Sequence, residues 1–258
     1  MQLGQDGVDE IVQKDLLRWH RHEGERILGT CAVLFVKSPA SGSVKTRLRS
    51  HLSEHESVAL YTAFLVDSAE TLAASAAELK VIAYSPDTAA TEIRGLVGER
   101  AAEIRFVPQP QTDLGGRMAG LVEWSFQQGA RRTVLVGSDS PSLPAAYIDR
   151  GLELLRERDL VLGPSTDGGY YLIGQSRGRG EERAVFTGID WSTGRVFEQT
   201  LAAASSSSLG LLPPWYDVDT PSDAAFLKVH LEATRRVGGR DGANSLRILR
   251  TLDLPPPS

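Results

Sequence analysis

An α/β protein built on a mainly parallel sheet is predicted by three features of the chain. Short apolar runs bounded by turn residues recur at 31–36, 80–84, 104–107, 133–136 and 160–162. Stretches of helical spacing separate them, each long enough to carry a crossover between parallel strands. One further run, 170–173, arrives only a few residues after the fifth, too soon for a helix, which predicts a hairpin-like antiparallel insertion. At 258 residues the chain is long for one domain but ordinary for one α/β unit with a shared core.

Taken in order, the first run, 31–36, reads CAVLFV and predicts a strand buried on both faces. Ser53 with Glu56 forms a capping-box pattern that starts a helix over 54–79. The same stretch, His51-Leu52-Ser53-Glu54-His55, matches the H-x-x-E-H pattern of some zinc hydrolases. A helix starting at Ser53 puts both histidines on its exposed first turn, so zinc hydrolysis is set aside. Further helices are expected over 88–97, over 114–128 behind Asp113, over 145–157, and over 195–204 with Ser192 or Thr193 at its start. Ser205 to Ser208 reads as a surface loop, and Thr220-Pro221 starts a helix, with the hydroxyl as cap and proline in the first turn. The expected organisation is a helical extension over 1–29, marked by Ile11, Leu16, Leu17 and Ile27, then a catalytic-sized domain over 30–235. A loosely held tail over 236–258, rich in glycine and ending in Pro255-Pro256-Pro257, completes it.

Composition narrows the function classes. Hydrophobic residues make up 41% and charged residues 24%, the balance of a globular protein. A formal net charge of -5 argues against a broad nucleic-acid footprint while leaving room for a small anionic substrate held by a few local cations. The single cysteine, Cys31, sits inside the first apolar run and reads as a small core residue, so neither a disulfide nor a cysteine metal site is expected. Residues 1–29 show no continuous apolar segment, and the expectation is a cytoplasmic protein without a membrane span.

Six motifs carry candidate chemistry. After the first strand, Lys37-Ser38-Pro39-Ala40-Ser41-Gly42-Ser43-Val44-Lys45-Thr46-Arg47 packs three cations into a Gly/Ser-rich turn. Backbone amides of such a turn donate to phosphate oxygens, while lysine neutralises charge as a point and arginine as a fork. It lacks the glycine spacing and adjacent Gly-Lys of a P-loop. Before the fourth helix pattern, Asp113-Leu114-Gly115-Gly116-Arg117 offers two glycines for close approach of a ligand, and Arg117 to reach a phosphate or a base edge; Asp113 reads equally as a helix cap. Asp139, in Gly137-Ser138-Asp139-Ser140-Pro141, lies just past the carboxyl end of a buried strand, where open α/β sheets bind ligands, although its surroundings are also turn chemistry. Asp217 and Asp219 precede the Thr220 cap and are left for other work; oxygen ligands from Asp139 and Asp219 would suit Mg²⁺ or Mn²⁺ beside diphosphate oxygens. Finally, Asp167-Gly168-Gly169-Tyr170-Tyr171 and Trp191-Ser192-Thr193 read as pocket walls or, more plainly, as a tight turn and a core tyrosine.

All of these but the Trp191 motif, taken in chain order over about residues 31–227, resemble the bacterial GT-A-like transferases that include the arsenosugar-biosynthesis glycosyltransferases and the radical-SAM/selenodomain-associated transferases. Thr112 departs from that pattern where the family carries glycine, and Gly116 stands where a polar residue is usual. The resemblance implies a GT-A, Rossmann-like three-layer α/β/α fold within the nucleotide-diphospho-sugar transferase superfamily, a nucleoside diphosphate sugar as donor, and a divalent metal, Mg²⁺ or Mn²⁺. On that basis Lys37, Ser38, Pro39, Gly42, Lys45, Arg47, Asp113, Gly115 and Arg117 are expected at the nucleotide and its phosphates. Asp139 and Asp219 are expected on the metal, Asp167 as an acceptor-side base, and Gly168, Gly169, Tyr170 and Trp191 around a small-molecule acceptor. Glycosyl transfer is the leading expectation. The alternatives are nucleotidyl transfer from a nucleoside triphosphate to a phosphorylated acceptor, as in guanylyltransferases of the same superfamily, and a sugar-nucleotide binding protein without turnover.

Overall fold

The computed structural model describes residues 29–42, 44–178 and 183–256. Its seven strands are β1 (Thr30–Lys37), β2 (Leu79–Ser85), β3 (Arg105–Pro108), β4 (Arg132–Gly137), β5 (Leu160–Pro164), β6 (Tyr170–Ser176) and β7 (Leu209–Leu211). They form one sheet in the order β3-β2-β1-β4-β6-β5-β7. Only β6 runs against its neighbours β4 and β5, as the short spacing after β5 predicts. Every other pairing is parallel.

Period-two alternation in β1 builds the three layers. Ala32, Leu34 and Val36 face one side, against helices α1 (Glu54–Ala74), α2 (Ala90–Val97) and α4 (Ala145–Leu154). Cys31 and Val33 face the other, against α3 (Leu114–Gln127) and α5 (Val196–Ala203). Each of these strand side chains is essentially inaccessible to water. Cys31 is thus a core residue, and burial pushes its thiol far above the ordinary range, the opposite of what a nucleophile needs. The α/β three-layer fold is the one expected, and among the described residues no helix is long and apolar enough to cross a membrane.

Two expectations fail on tertiary contacts. The alanine-rich continuation of α1 to residue 79 stops at Ala74, where Ser75 turns extended and its hydroxyl donates to the Leu72 carbonyl (2.8 Å). The freed backbone then finds better partners: Ala76 N donates to Asp149 Oδ1 (2.7 Å) and Ala77 enters the core. Helix propensity yields to these contacts. The tail is not loose either. Helix α6 (Pro221–Arg236) is followed by α7 (Ala243–Leu249), and Leu246, Leu249 and Leu252 join Leu60 and Phe64 of α1 and Leu227 and Leu231 of α6 in a separate apolar cluster. Expected glycine flexibility is spent on the sharp entry to α7, with Gly242 at φ 69°. The extension expected over 1–29 lies outside the described residues apart from Gly29.

Asp67 on α1 pins that entry. Its Oδ1 accepts from Asn244 N and Nδ2 (both 2.9 Å), and its Oδ2 from Ser245 N (2.7 Å) and the Ser245 hydroxyl. Asp67 is 2% exposed and Ser245 is fully buried, so the Ser245 donors have no water to turn to. Asp67→Ala should therefore lower the unfolding free energy by about 3 kcal/mol, with hydrogen-exchange protection lost first in α7. A loss below about 0.5 kcal/mol with α7 still protected would show that apolar packing alone holds the tail.

Candidate active site

Parallel β1 and β4 are neighbours, and their chains leave in opposite directions across the sheet, so a crevice opens at their carboxyl ends. Tyr61 of α1 clamps the first of these ends: Lys37 N donates to Tyr61 Oη (3.0 Å), and the hydroxyl donates back to the Lys37 carbonyl (3.1 Å). Burial, and then the charge of Asp139, push the Tyr61 hydroxyl above its ordinary range, so it stays a donor. Beyond Lys37 the loop is fastened by Glu92, which takes the Ser38 hydroxyl on one oxygen and Ala40 N (3.2 Å) on the other.

Lys45 then adopts a left-handed backbone (φ 48°, ψ 42°), rare for a side chain of this size. The turn sends its stem inward past the ring of Phe64 (5.9 Å) until only 4% of the side chain is exposed. Its Nζ lies 2.6 Å from Asp139 Oδ1 and 2.8 Å from Asp219 Oδ1. Burial by itself would lower this ammonium's pKa, but the two carboxylates outweigh it and hold the group above its ordinary range, so it is charged. Arg47 adds a looser contact, 3.4 Å from Asp219 Oδ2, with its own side chain 71% exposed. Val218 N donates to the Asp139 carbonyl (3.0 Å), locking the two aspartate loops side by side.

Around this node lies a cleft of about 840 Å³. Of the residues singled out in the sequence, Lys37, Lys45, Arg47, Arg117, Asp139, Asp167, Gly169, Tyr170, Trp191 and Asp219 line it. Others serve the loops instead. Ser38 and Pro39 are buried, and Gly42 (φ 66°) ends the first turn of the loop in a left-handed conformation. Asp113 is the cap of α3, accepting from Gly116 N (2.7 Å), so its carboxylate is committed to the helix. Gly115 makes room for packing rather than ligand: a Cβ there would stand 2.8 Å from Trp191 Nε1 and 2.5 Å from the Phe186 carbonyl. Gly168 (φ +90°) presses on the Gly194 backbone, and its carbonyl accepts from Phe197 N (2.9 Å). The catalytic-pattern histidines His51 and His55 are exposed beside a complete Ser53/Glu56 capping box.

Among the wall residues, Gln109 and Tyr61 were not singled out in the sequence, and Asp217 was singled out there without a role. Gln109 follows β3 as Asp139 follows β4; its Nε2 donates to the Val36 and Ala83 carbonyls (3.0 and 2.8 Å), and its Oε1 accepts from Arg117 (3.4 Å). Strand-end position was the signal that would have found it. Asp217 shares a face with Asp219 by extended-chain alternation, Val218 pointing to the core between them. It accepts from the Ser165 hydroxyl (2.8 Å), and burial followed by the nearby Asp167 charge raises its carboxyl above the usual range. Tyr61, mid-helix, carried no such signal.

Asp139 and Asp219 suit a hard divalent cation: oxygens from both converge on one point, and both carboxylates are partly open to the cleft, where phosphate oxygens and water complete such shells. That point is held by the Lys45 ammonium. Among the described residues no group of three or more His, Cys, Asp and Glu side chains gathers as a metal site.

Comparison with known proteins agrees with the fold. Residues 68–193 match the family described as "Uncharacterized protein conserved in bacteria (DUF2064)". A crystal structure from Desulfovibrio desulfuricans G20, provisionally named a nucleotide-diphospho-sugar transferase, is 33% identical, with 86% of this chain and 94% of that one aligned at a TM-score of 0.76. Two more distant structures share the fold. A 4-diphosphocytidyl-2C-methyl-D-erythritol synthase from Anaerococcus prevotii is 8% identical (81% and 98% covered, TM-score 0.55). A nucleotidyl transferase from Methanothermobacter is 11% identical (80% and 99% covered, TM-score 0.52). No curated protein matches the chain.

The raised carboxyl of Asp217 has a sign that can be checked. Because its folded value lies above the ordinary 3.8, the folded state holds this proton more tightly, and stability falls as pH rises from 3.8 through the folded value. Asp217→Asn, which keeps an oxygen for Ser165, should raise the melting temperature at pH 7 and give no gain at pH 4 or below. An equal gain at both pH values would mean that the carboxylate is not strained by its surroundings.

Proposed function

Because this chain belongs to the nucleotide-diphospho-sugar transferase superfamily, we propose that it is a metal-dependent glycosyltransferase taking a nucleoside diphosphate sugar to the hydroxyl of a small, uncharged acceptor. One observation carries the reading: the cleft is electrically divided. Its cations, Lys37, Lys45, Arg47 and Arg117, come from β1, the loop after it and α3, and outnumber the two carboxylates among them, Asp139 and Asp219, while Ser165, Asp167, Tyr170 and Asp217 bring two further carboxylates and an aromatic ring with no cation. A diphosphate suits the first half. A phosphorylated acceptor, as in the nucleotidyl-transfer alternative, would meet repulsion in the second.

Lys37, Lys45 and Arg47 would neutralise the donor diphosphate, and Arg117, braced by the Thr112 carbonyl (2.8 Å) and by Gln109, would meet a phosphate or base edge. Asp139 and Asp219 would hold Mg²⁺ or Mn²⁺; bound there, the ion supplies charge stabilisation for the leaving diphosphate. Asp167 is the acceptor-side base: one oxygen is oriented by Gly169 N (2.8 Å), and the group takes the hydroxyl proton as the acceptor oxygen bonds to the sugar carbon and the sugar–phosphate bond breaks. Tyr170 and Trp191 give the acceptor apolar faces. The reading includes the finer kinship with the arsenosugar and radical-SAM-associated transferases, and a cytoplasmic setting.

Thermal-shift titration with nucleoside triphosphates and nucleoside diphosphate sugars, with and without Mg²⁺ or Mn²⁺, tests it. At saturation about a hundredfold above Kd, one sugar nucleotide should raise Tm by about 5 °C or more in the presence of metal, and Asp139→Ala should abolish the metal-dependent part. Turnover with an acceptor should release nucleoside diphosphate. Pyrophosphate released from a triphosphate would transfer the protein to the nucleotidyltransferases, and a melting curve indifferent to every nucleotide would remove the donor site.

A further inference from the structure

The position that suits a divalent ion already contains a cation belonging to the chain. Lys45 Nζ is 2.6 Å and 2.8 Å from oxygens of the two carboxylates that would ligate the metal. An ammonium and a divalent ion cannot share that point, since like charges a few ångströms apart inside a partly desolvated cleft repel strongly. Arg47 does not balance the pair in its place, being mostly exposed and touching only Asp219 at 3.4 Å.

The backbone of Lys45 is fixed where it stands, with its carbonyl accepting from Leu48 N (3.0 Å) and its left-handed conformation closing the loop. The ammonium, in contrast, ends a four-carbon stem with rotatable bonds and pairs as readily with phosphate as with carboxylate. Its side chain is buried against Phe64 and lines the cleft, so the donor diphosphate is the exchange partner within reach.

We propose that Lys45 is a built-in counter-ion that closes the metal position of the free protein and hands it over when a diphosphate arrives to receive the ammonium, so that metal and donor are taken up together. The hand-over rests on the donor reading above; the hold of Lys45 on the two carboxylates does not. Linkage makes the effect reciprocal: the factor by which diphosphate tightens metal binding equals the factor by which metal tightens diphosphate binding.

Mn²⁺ binding followed by electron paramagnetic resonance tests both parts without turnover, using wild type, Lys45→Met and Arg47→Met, alone and with a nucleoside diphosphate, after correction for chelation by free nucleotide. Wild type alone should bind Mn²⁺ weakly and gain about tenfold or more in affinity with nucleoside diphosphate. Lys45→Met should bind Mn²⁺ alone about tenfold more tightly than wild type and gain less from the nucleotide than wild type does, while Arg47→Met, measured without nucleotide because Arg47 also meets the donor phosphates, should gain less than about threefold. Equal Mn²⁺ affinity of wild type with and without bound nucleotide overturns the hand-over, and this arm needs no variant to fold. An unchanged Mn²⁺ affinity in folded Lys45→Met, or an equal gain in Arg47→Met, overturns the counter-ion role. If no nucleoside diphosphate binds any form, the donor reading fails and the hand-over with it, while tighter Mn²⁺ binding by Lys45→Met still supports the hold on the position.

Discussion

The ammonium of Lys45, shared between Asp139 and Asp219, is the contact on which the site is built. It joins the loop after β1, the loop after β4 and the approach to α6, segments as far apart as 174 residues in sequence. Those segments are brought within reach by strand order, because β1 and β4 are adjacent while their crossovers lead to opposite halves of the sheet. The ion contacts then decide how the loops close. A charge buried to this degree is tolerated only when it is paired, and removing either side leaves the other stranded. Lys45 thus enforces one arrangement of three loops, and the price is a left-handed lysine backbone.

Much of this was legible in the chain, for reasons tied to particular residues. Strands buried on both faces are continuous apolar runs, so β1, β2, β4 and β5 announce themselves, and the short interval before Tyr170 betrays the reversed β6. The capping boxes at Ser53 and Thr220 are local codes and were readable as such. The convergence of Lys45 with Asp139 and Asp219 was readable only through the resemblance to a family, since nothing in local spacing joins positions so distant. What stayed hidden depends on long-range partners: α1 stops because Asp149 and the core claim its continuation, and the tail is ordered because Asp67 accepts from the first turn of α7. Glycines misled in the same way. Gly115 and Gly168 were marked for ligand approach, whereas their missing side chains admit Trp191, Phe186 and Gly194.

The reversed strand has a consequence for chemistry. In a purely parallel sheet, the carboxyl edge carries one exit per strand. Because β6 runs backwards, its beginning lies on that same edge, and the β5–β6 turn adds Ser165, Asp167 and Gly169 to the cleft and starts β6 there with Tyr170. This turn is tied to the segment before α6: Trp215 N donates to the Pro164 carbonyl (3.0 Å), Thr166 N to the Trp215 carbonyl (3.2 Å), and the Ser165 hydroxyl to Asp217.

That tie separates two carboxylates by function although they are two residues apart. Asp219 is paired with Lys45 and Arg47, while Asp217 lies near the charge of Asp167 and accepts from the Ser165 hydroxyl, with a raised carboxyl. One end of the segment therefore compensates negative charge and the other concentrates it. In the proposed glycosyl transfer, the anionic leaving group departs toward the lysines and the acceptor proton toward the carboxylates, the direction in which charge moves when a sugar passes from diphosphate to a hydroxyl.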